Sequence, residues 1–130
     1  MLKISKQVDY AIRLLRALES LPQGHILSLK RFSNESTISF LFLQRIARQL
    51  RSAGLITSKQ GSRGGYCLLV PMRDISLQKI IGIVDKSIAP VACLDTKKGC
   101  RHEQGCVTKP VFEKIHKQML ALLEQTTLAD

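Results

Sequence analysis

Cys93, Cys100 and Cys106 lie within fourteen residues, in the spacing C-x6-C-x5-C. Thiolates are the ligands of soft metals and of iron-sulfur clusters, and closing so short a loop around one costs little chain entropy. Three of them leave one coordination position for a different and more exchangeable donor, which is the arrangement a sensing centre needs. The residues between them include Lys97, Lys98 and Gly99 and show no hydrophobic period, so the segment reads as a loop shaped by what it binds.

A second group of residues suits duplex DNA. Ser39, Leu41, Gln44, Arg45 and Arg48 fall on the polar faces of one amphipathic helix, and the basic, glycine-rich run Lys59-Gln60-Gly61-Ser62-Arg63-Gly64-Gly65 follows soon after. Gln44 can pair with adenine N6 and N7, and Arg45 or Arg48 with guanine O6 and N7. Each such pair discriminates by about 1 to 3 kcal/mol. Lys59, Ser62 and Arg63 can reach backbone phosphates or the minor groove, and the glycines let a hairpin tip come close to the duplex.

The elements that must position these groups follow from periodicity. Val8, Ala11, Ile12, Leu14, Leu15 and Leu18 form the apolar stripe of a helix from Ser5 to about Leu21, ended by Pro22 and Gly24. Ser28 caps a short second helix through Lys30 and Phe32, which the Ser33-Asn34-Glu35-Ser36 cluster closes. A third helix starts at an N-cap Ser39, turns Phe40, Leu43, Ala47 and Leu50 inward, and stops at Gly54. Leu55 to Ser58 and Tyr66 to Val70 then read as two strands around the basic tip, with Cys67 as a small buried hydrophobe. Ser76 caps a helix with Leu77, Ile80, Ile81 and Val84 on its apolar face. Pro110 opens a last one with Val111, Ile115, Met119, Leu122 and Leu123 on one side. The predicted class is mainly α with a small β-hairpin: a winged helix-turn-helix over residues 1–75, then a linking helix, cysteine loop and long C-terminal dimerisation helix over 76–130.

The chain has 130 residues, of which 45% are hydrophobic, enough for one core. Its formal charge of +10 is uneven. Residues 1–75 hold 12 Lys and Arg against 4 Asp and Glu, and residues 76–130 hold 8 against 6, so the N-terminal part is the polyanion binder. With no Trp and 5% aromatic residues, stacking on single strands is disfavoured, and double-stranded DNA is the expected partner. No apolar run approaches membrane-spanning length, so the expected location is cytoplasmic, with no membrane partner. Thiols in that compartment are ligands or redox groups rather than disulfides. No Ser-His-Asp set, paired carboxylates or P-loop is present, so neither an enzyme nor a small-molecule substrate is expected.

Leu50-Arg51-Ser52-Ala53-Gly54-Leu55-Ile56, then Ser58, Gly61-Ser62-Arg63-Gly64-Gly65-Tyr66 and the three spaced cysteines, resemble the IscR/NsrR family of winged-helix iron-sulfur transcription regulators. The similarity spans nearly the whole chain. Ile4-Ser5-Lys6, Asp9-Tyr10-Ala11-Ile12 and Leu128-Ala129-Asp130 look like the branch that regulates iron-sulfur assembly (SUF-type) operons. The resemblance implies a homodimer that binds a palindromic operator, with an affinity that changes with cluster state. It also implies a fourth ligand. Members similar to the assembly regulator supply a His three residues after the third cysteine, but Lys109 stands there and cannot coordinate while protonated. Members similar to the nitric-oxide sensor supply an acidic residue from the first helix of the other subunit, which Asp9 matches. His102 and Glu103, between Cys100 and Cys106, are alternatives in cis. Either a [2Fe-2S] or a [4Fe-4S] cluster suits this donor set. Three rival readings stay open: structural zinc on the same cysteines, a thiol redox switch without metal, and a basic electron-carrier or cluster-delivery protein.

Overall fold

The computed structural model describes residues 4–59, 64–85 and 107–130. Helix α1 spans Lys6–Glu19, α2 Leu29–Ser36 and α3 Phe40–Ser52. Strands β1, Ile56–Lys59, and β2, Gly65–Leu68, follow, then a 3-10 turn at Met72–Asp74, α4 at Leu77–Val84 and α5 at Lys109–Gln125. This is the expected mainly helical chain with one antiparallel hairpin, in the order of a winged helix.

Serine caps begin three of the five helices as expected. The hydroxyls of Ser5, Ser28 and Ser76 accept from the N–H of Val8, Arg31 and Lys79 respectively. Ser39 holds the N-cap position of α3, but its side chain makes no capping bond. Gly54 takes φ +80°, the left-handed value that ends α3 and turns the chain into the hairpin.

One cluster of apolar side chains forms the core of the described residues. Leu14 and Leu15 of α1, Leu43, Ile46 and Leu50 of α3, Leu55 and Ile56 of the hairpin, and Ile75 and Ile80 around α4 are all at 0–1% exposure. Each such side chain contributes roughly 1.5 to 3 kcal/mol of burial. Tyr10 of α1 and Phe42 of α3 meet edge to face, with ring centroids 5.3 Å apart.

Three sequence expectations change. Helix α2 continues through the serine cluster that was to close it, because the Ser36 hydroxyl donates back to the Phe32 carbonyl at 2.6 Å and so adapts to helix instead of breaking it. Phe40 is not inward: it is 39% exposed at the rim, and Ile46 takes the core position. On α5, Leu123 is buried and Met119 half-buried, whereas Val111, Ile115 and Leu122 are exposed.

The end of the chain is strapped to the core. The Leu77 N–H donates to the Thr126 carbonyl at 2.8 Å, the Leu128 N–H donates to the Ile75 carbonyl at 2.9 Å, and Leu128 itself is buried. The Arg16 guanidinium donates to the Asp130 carbonyl at 3.4 Å, which ties the same tail to α1. No helix among the described residues is long and apolar enough to cross a membrane.

Candidate nucleic-acid interface

The turn between α2 and α3 decides how α3 is presented. Thr37 takes φ 62°, the left-handed region that a β-branched residue enters only at a cost of roughly 1 to 3 kcal/mol. Side-chain bonds on both sides hold it there. The Ser33 hydroxyl donates to the Ile38 carbonyl at 2.5 Å, and the Ser36 hydroxyl accepts from the Ile38 N–H at 3.4 Å. Ile38 then drops into the core at 7% exposure, and α3 leaves with Leu43, Ile46, Ala47 and Leu50 buried.

The opposite side of α3 carries the anticipated residues. Ser39, Leu41, Gln44, Arg45 and Arg48 are all exposed, Leu41 at 77%. Lys59, at the outer end of β1, is exposed as well and lies across from Gly65 in the hairpin register. Ser62 and Arg63, at the expected tip, lie outside the described residues, as does Gly61.

Gly65 has a different task from the one its tip position suggested. It is buried, and a Cβ there would stand 2.6 Å from the Leu27 carbonyl oxygen. The need for glycine comes from the protein's own backbone: Leu27 and Tyr66 exchange two N–H to carbonyl bonds of 2.9 Å, so β2 is paired on both edges, with β1 and with residue 27. Gly64, whose Cβ would meet, among the described residues, only the Lys59 carbonyl at 3.7 Å, remains exposed.

Between the first turn of α2, the first turns of α3 and the hairpin lies a groove of about 710 Å³. Gln44 and Lys59 line it together with Lys30. Lys30 was not among the residues picked from the sequence. Its signal was there, as the cation two positions after the Ser28 cap, in the helix that precedes α3.

Of the residues proposed for metal, Cys93, Cys100, Cys106, His102 and Glu103 lie outside the described residues. Among the described residues no three His, Cys, Asp or Glu side chains come together as a metal site. Asp9 sits in the first turn of α1, half exposed, and accepts from Arg13 Nε at 3.0 Å. At the start of the same helix, Ser5 Oγ donates to Asp85 Oδ1 at 2.7 Å, and Asp85 is the last described residue before the cysteine segment.

The family model for Rrf2, an iron-dependent transcriptional regulator, matches residues 4–130. The chain belongs to the Rrf2 family. An rrf2-like HTH-type transcriptional regulator of Rhodobacter capsulatus is 31% identical to it, covering 98% of this chain and 90% of that protein. IscR of Serratia proteamaculans is 26% identical, covering 99% of this chain and 78% of its own length. Among solved structures, CymR of B. subtilis, described as the global cysteine regulator, superposes with a TM-score of 0.79 at 27% identity, covering 100% of this chain and 95% of that one. T. potens IscR gives 0.68 at 30% identity, covering 99% and 85%. These relatives are transcriptional regulators, not enzymes, and this Rrf2-family chain is accordingly a DNA-binding winged-helix regulator.

Proposed function

We propose that this Rrf2-family chain is a homodimeric regulator whose grip on a palindromic operator depends on an iron-sulfur cluster held by Cys93, Cys100 and Cys106. The observation that carries the reading is the C-x6-C-x5-C segment in a chain that matches an iron-dependent regulator family over residues 4–130. The chemistry of the donor set fits a cluster, with three soft thiolates and a carboxylate to complete it. Asp9 is the first choice for that carboxylate. Its present partner is the exposed Arg13, and a helical ion pair of this kind contributes only about 0.3 to 0.5 kcal/mol, so it is readily given up. When bound, the cluster would supply a centre that oxidants, nitric oxide or iron shortage can alter.

On the DNA side, Gln44, Arg45 and Arg48 read base edges in the major groove, Leu41 meets a thymine methyl, Ser39 with the start of α3 approaches the backbone, and Lys59, Ser62 and Arg63 hold phosphate or minor groove. Two copies bring two such helices about one helical turn of DNA apart. The α5 stripe of Val111, Ile115 and Leu122, at 58%, 46% and 63% exposure and at spacings of four and seven, is the surface a second copy would cover. To switch the operator from nearly empty to nearly full, the cluster must favour one dimer geometry by about 5.5 kcal/mol. The reducing cytoplasm is the compartment in which these thiols stay available as ligands.

A thiol switch is the second reading, in which two of the three cysteines pair under oxidant and no metal is held; the fold is shared with Staphylococcus aureus CymR, solved in an oxidised form (TM-score 0.75) and also without that description (0.72), both at 28% identity. One experiment separates the readings: anaerobic purification, with visible absorption and iron, sulfide, zinc and thiol analysis on the same sample. Iron with matching sulfide, lost when the three cysteines are changed to alanine, supports the cluster. Zinc alone makes the segment a structural staple, and metal-free protein whose thiol count falls under oxidant favours the switch.

A further inference from the structure

A helix in the major groove and a hairpin reaching the adjacent minor groove stand on opposite sides of one sugar-phosphate strand, because a single backbone separates the two grooves of B-DNA. A winged helix that uses both elements must leave a channel for that strand between them. The groove bounded by α3, the hairpin and the first turn of α2 lies in that position, and the charges on its described lining are of one sign. Among the described residues, Lys30 and Lys59 are its charged lining residues; Ser28, Ser58 and Gln44 add hydroxyl and amide groups.

The cations of α2 are divided between its two sides. Arg31 is engaged by Glu35 at 3.0 Å and lines a different cavity, whereas Lys30 faces the groove and neither it nor Lys59 has an acidic partner among the described residues. The first-turn N–H groups of Leu29 and Lys30, both at the groove, have no acceptor within the helix. We propose that this groove seats the sugar-phosphate strand running between the two DNA grooves, with Lys30 and Lys59 each neutralising a phosphate on it. The inference rests on the DNA-binding reading and deepens it. Lys30 becomes a positioning residue that sets the register of α3 on the duplex without reading a base.

The test uses the full-length protein and two duplexes, one recovered by the wild type from a randomised library and one a scrambled version of it. Lys30→Gln and Lys59→Gln should each weaken binding to both duplexes by the same factor and flatten the slope of log affinity against log salt by about 0.9. Lys30→Arg should restore the slope. Replacing phosphates singly by methylphosphonate should identify one whose loss weakens the wild type but not Lys30→Gln. If the wild type discriminates the duplexes while Lys30→Gln keeps the full slope, the groove assignment is overturned and DNA binding stands. A fall of equal size for Lys79→Gln, on α4 and outside the groove, would trace the effect to net charge and overturn the assignment too. A wild type that treats both duplexes alike defeats the sequence-specific reading together with this one.

Discussion

Ser5 and Asp85, eighty positions apart, are joined by a 2.7 Å hydrogen bond from the serine hydroxyl to the carboxylate, while the same hydroxyl accepts from the Val8 N–H at 3.3 Å. One side chain thus caps α1 and fastens the exit of α4 to it. Ser5→Ala should cost about 1 to 2 kcal/mol, at the upper end for a lost N-cap because the Asp85 bond goes with it. Asp85→Ala should cost less, and the double variant should fall short of the sum. Urea unfolding midpoints for the four proteins measure this coupling; strict additivity would mean that the bond contributes nothing.

Gly65→Ala and Gly64→Ala make a matched pair. The first forces a methyl to within 2.6 Å of the Leu27 carbonyl oxygen, whereas the second meets nothing among the described residues closer than 3.7 Å. We expect a loss of about 1 to 3 kcal/mol for Gly65→Ala, from overpacking, and within about 0.5 kcal/mol for Gly64→Ala. Thermal melts would decide it, and equal effects would contradict the described packing of β2 on residue 27.

For DNA recognition, Gln44→Ala should relax preference at one base pair per half-site by roughly 1 to 3 kcal/mol while leaving other positions unchanged. Arg63→Ala should weaken all sequences together and reduce the salt slope by about 0.9. Binding to a panel of single-base operator variants at several salt concentrations separates the two signatures.

Asp9→Ala removes a surface ion pair with Arg13 and should leave the melting temperature almost unmoved. Its effect is expected on the cluster: a changed visible spectrum and faster loss in air. Unchanged spectrum and lability would pass the role to His102 or Glu103.

The α5 stripe predicts a change of oligomeric state. Ile115→Glu and Leu122→Arg place charges where side chains are 46% and 63% exposed in the single chain, so the fold should persist. Sedimentation equilibrium should show monomer for either variant and dimer for the wild type, and operator affinity should fall with the loss of the second half-site.

The helices were readable because their evidence is local. Val8, Ala11, Leu14, Leu15 and Leu18 repeat with the period of one face, and all five are buried. The serines at positions 5, 28 and 76 stand where a free N–H needs an acceptor. What escaped depends on partners far along the chain or on choices open to one side chain. The Leu27–Tyr66 pairing spans 39 positions, and nothing around Leu27 has a strand's alternation. The Ser33–Ser36 cluster was ambiguous because serine hydroxyls bond to backbone in either helix or turn, and the actual stop, left-handed Thr37, is a residue with no preference for that conformation. Lys30 was passed over although its place two residues after the Ser28 cap was visible, because only the folded chain brings the first turn of α2 to the groove that Lys59 also lines.

Because β2 is bonded along both edges, to β1 and to residue 27, the base of the wing is already ordered before any duplex arrives. Its conformational entropy is lost during folding and not at the moment of association, so a contact made from Lys59 carries little ordering penalty in the backbone. The base of a hairpin rooted in this way does not bend to follow a misplaced strand. In the proposed homodimer, distortions of the operator would therefore be resisted at the base of the wing and accommodated by moving the two subunits as wholes, which would make the distance between half-sites a more sharply tested property of the DNA than the shape of either one.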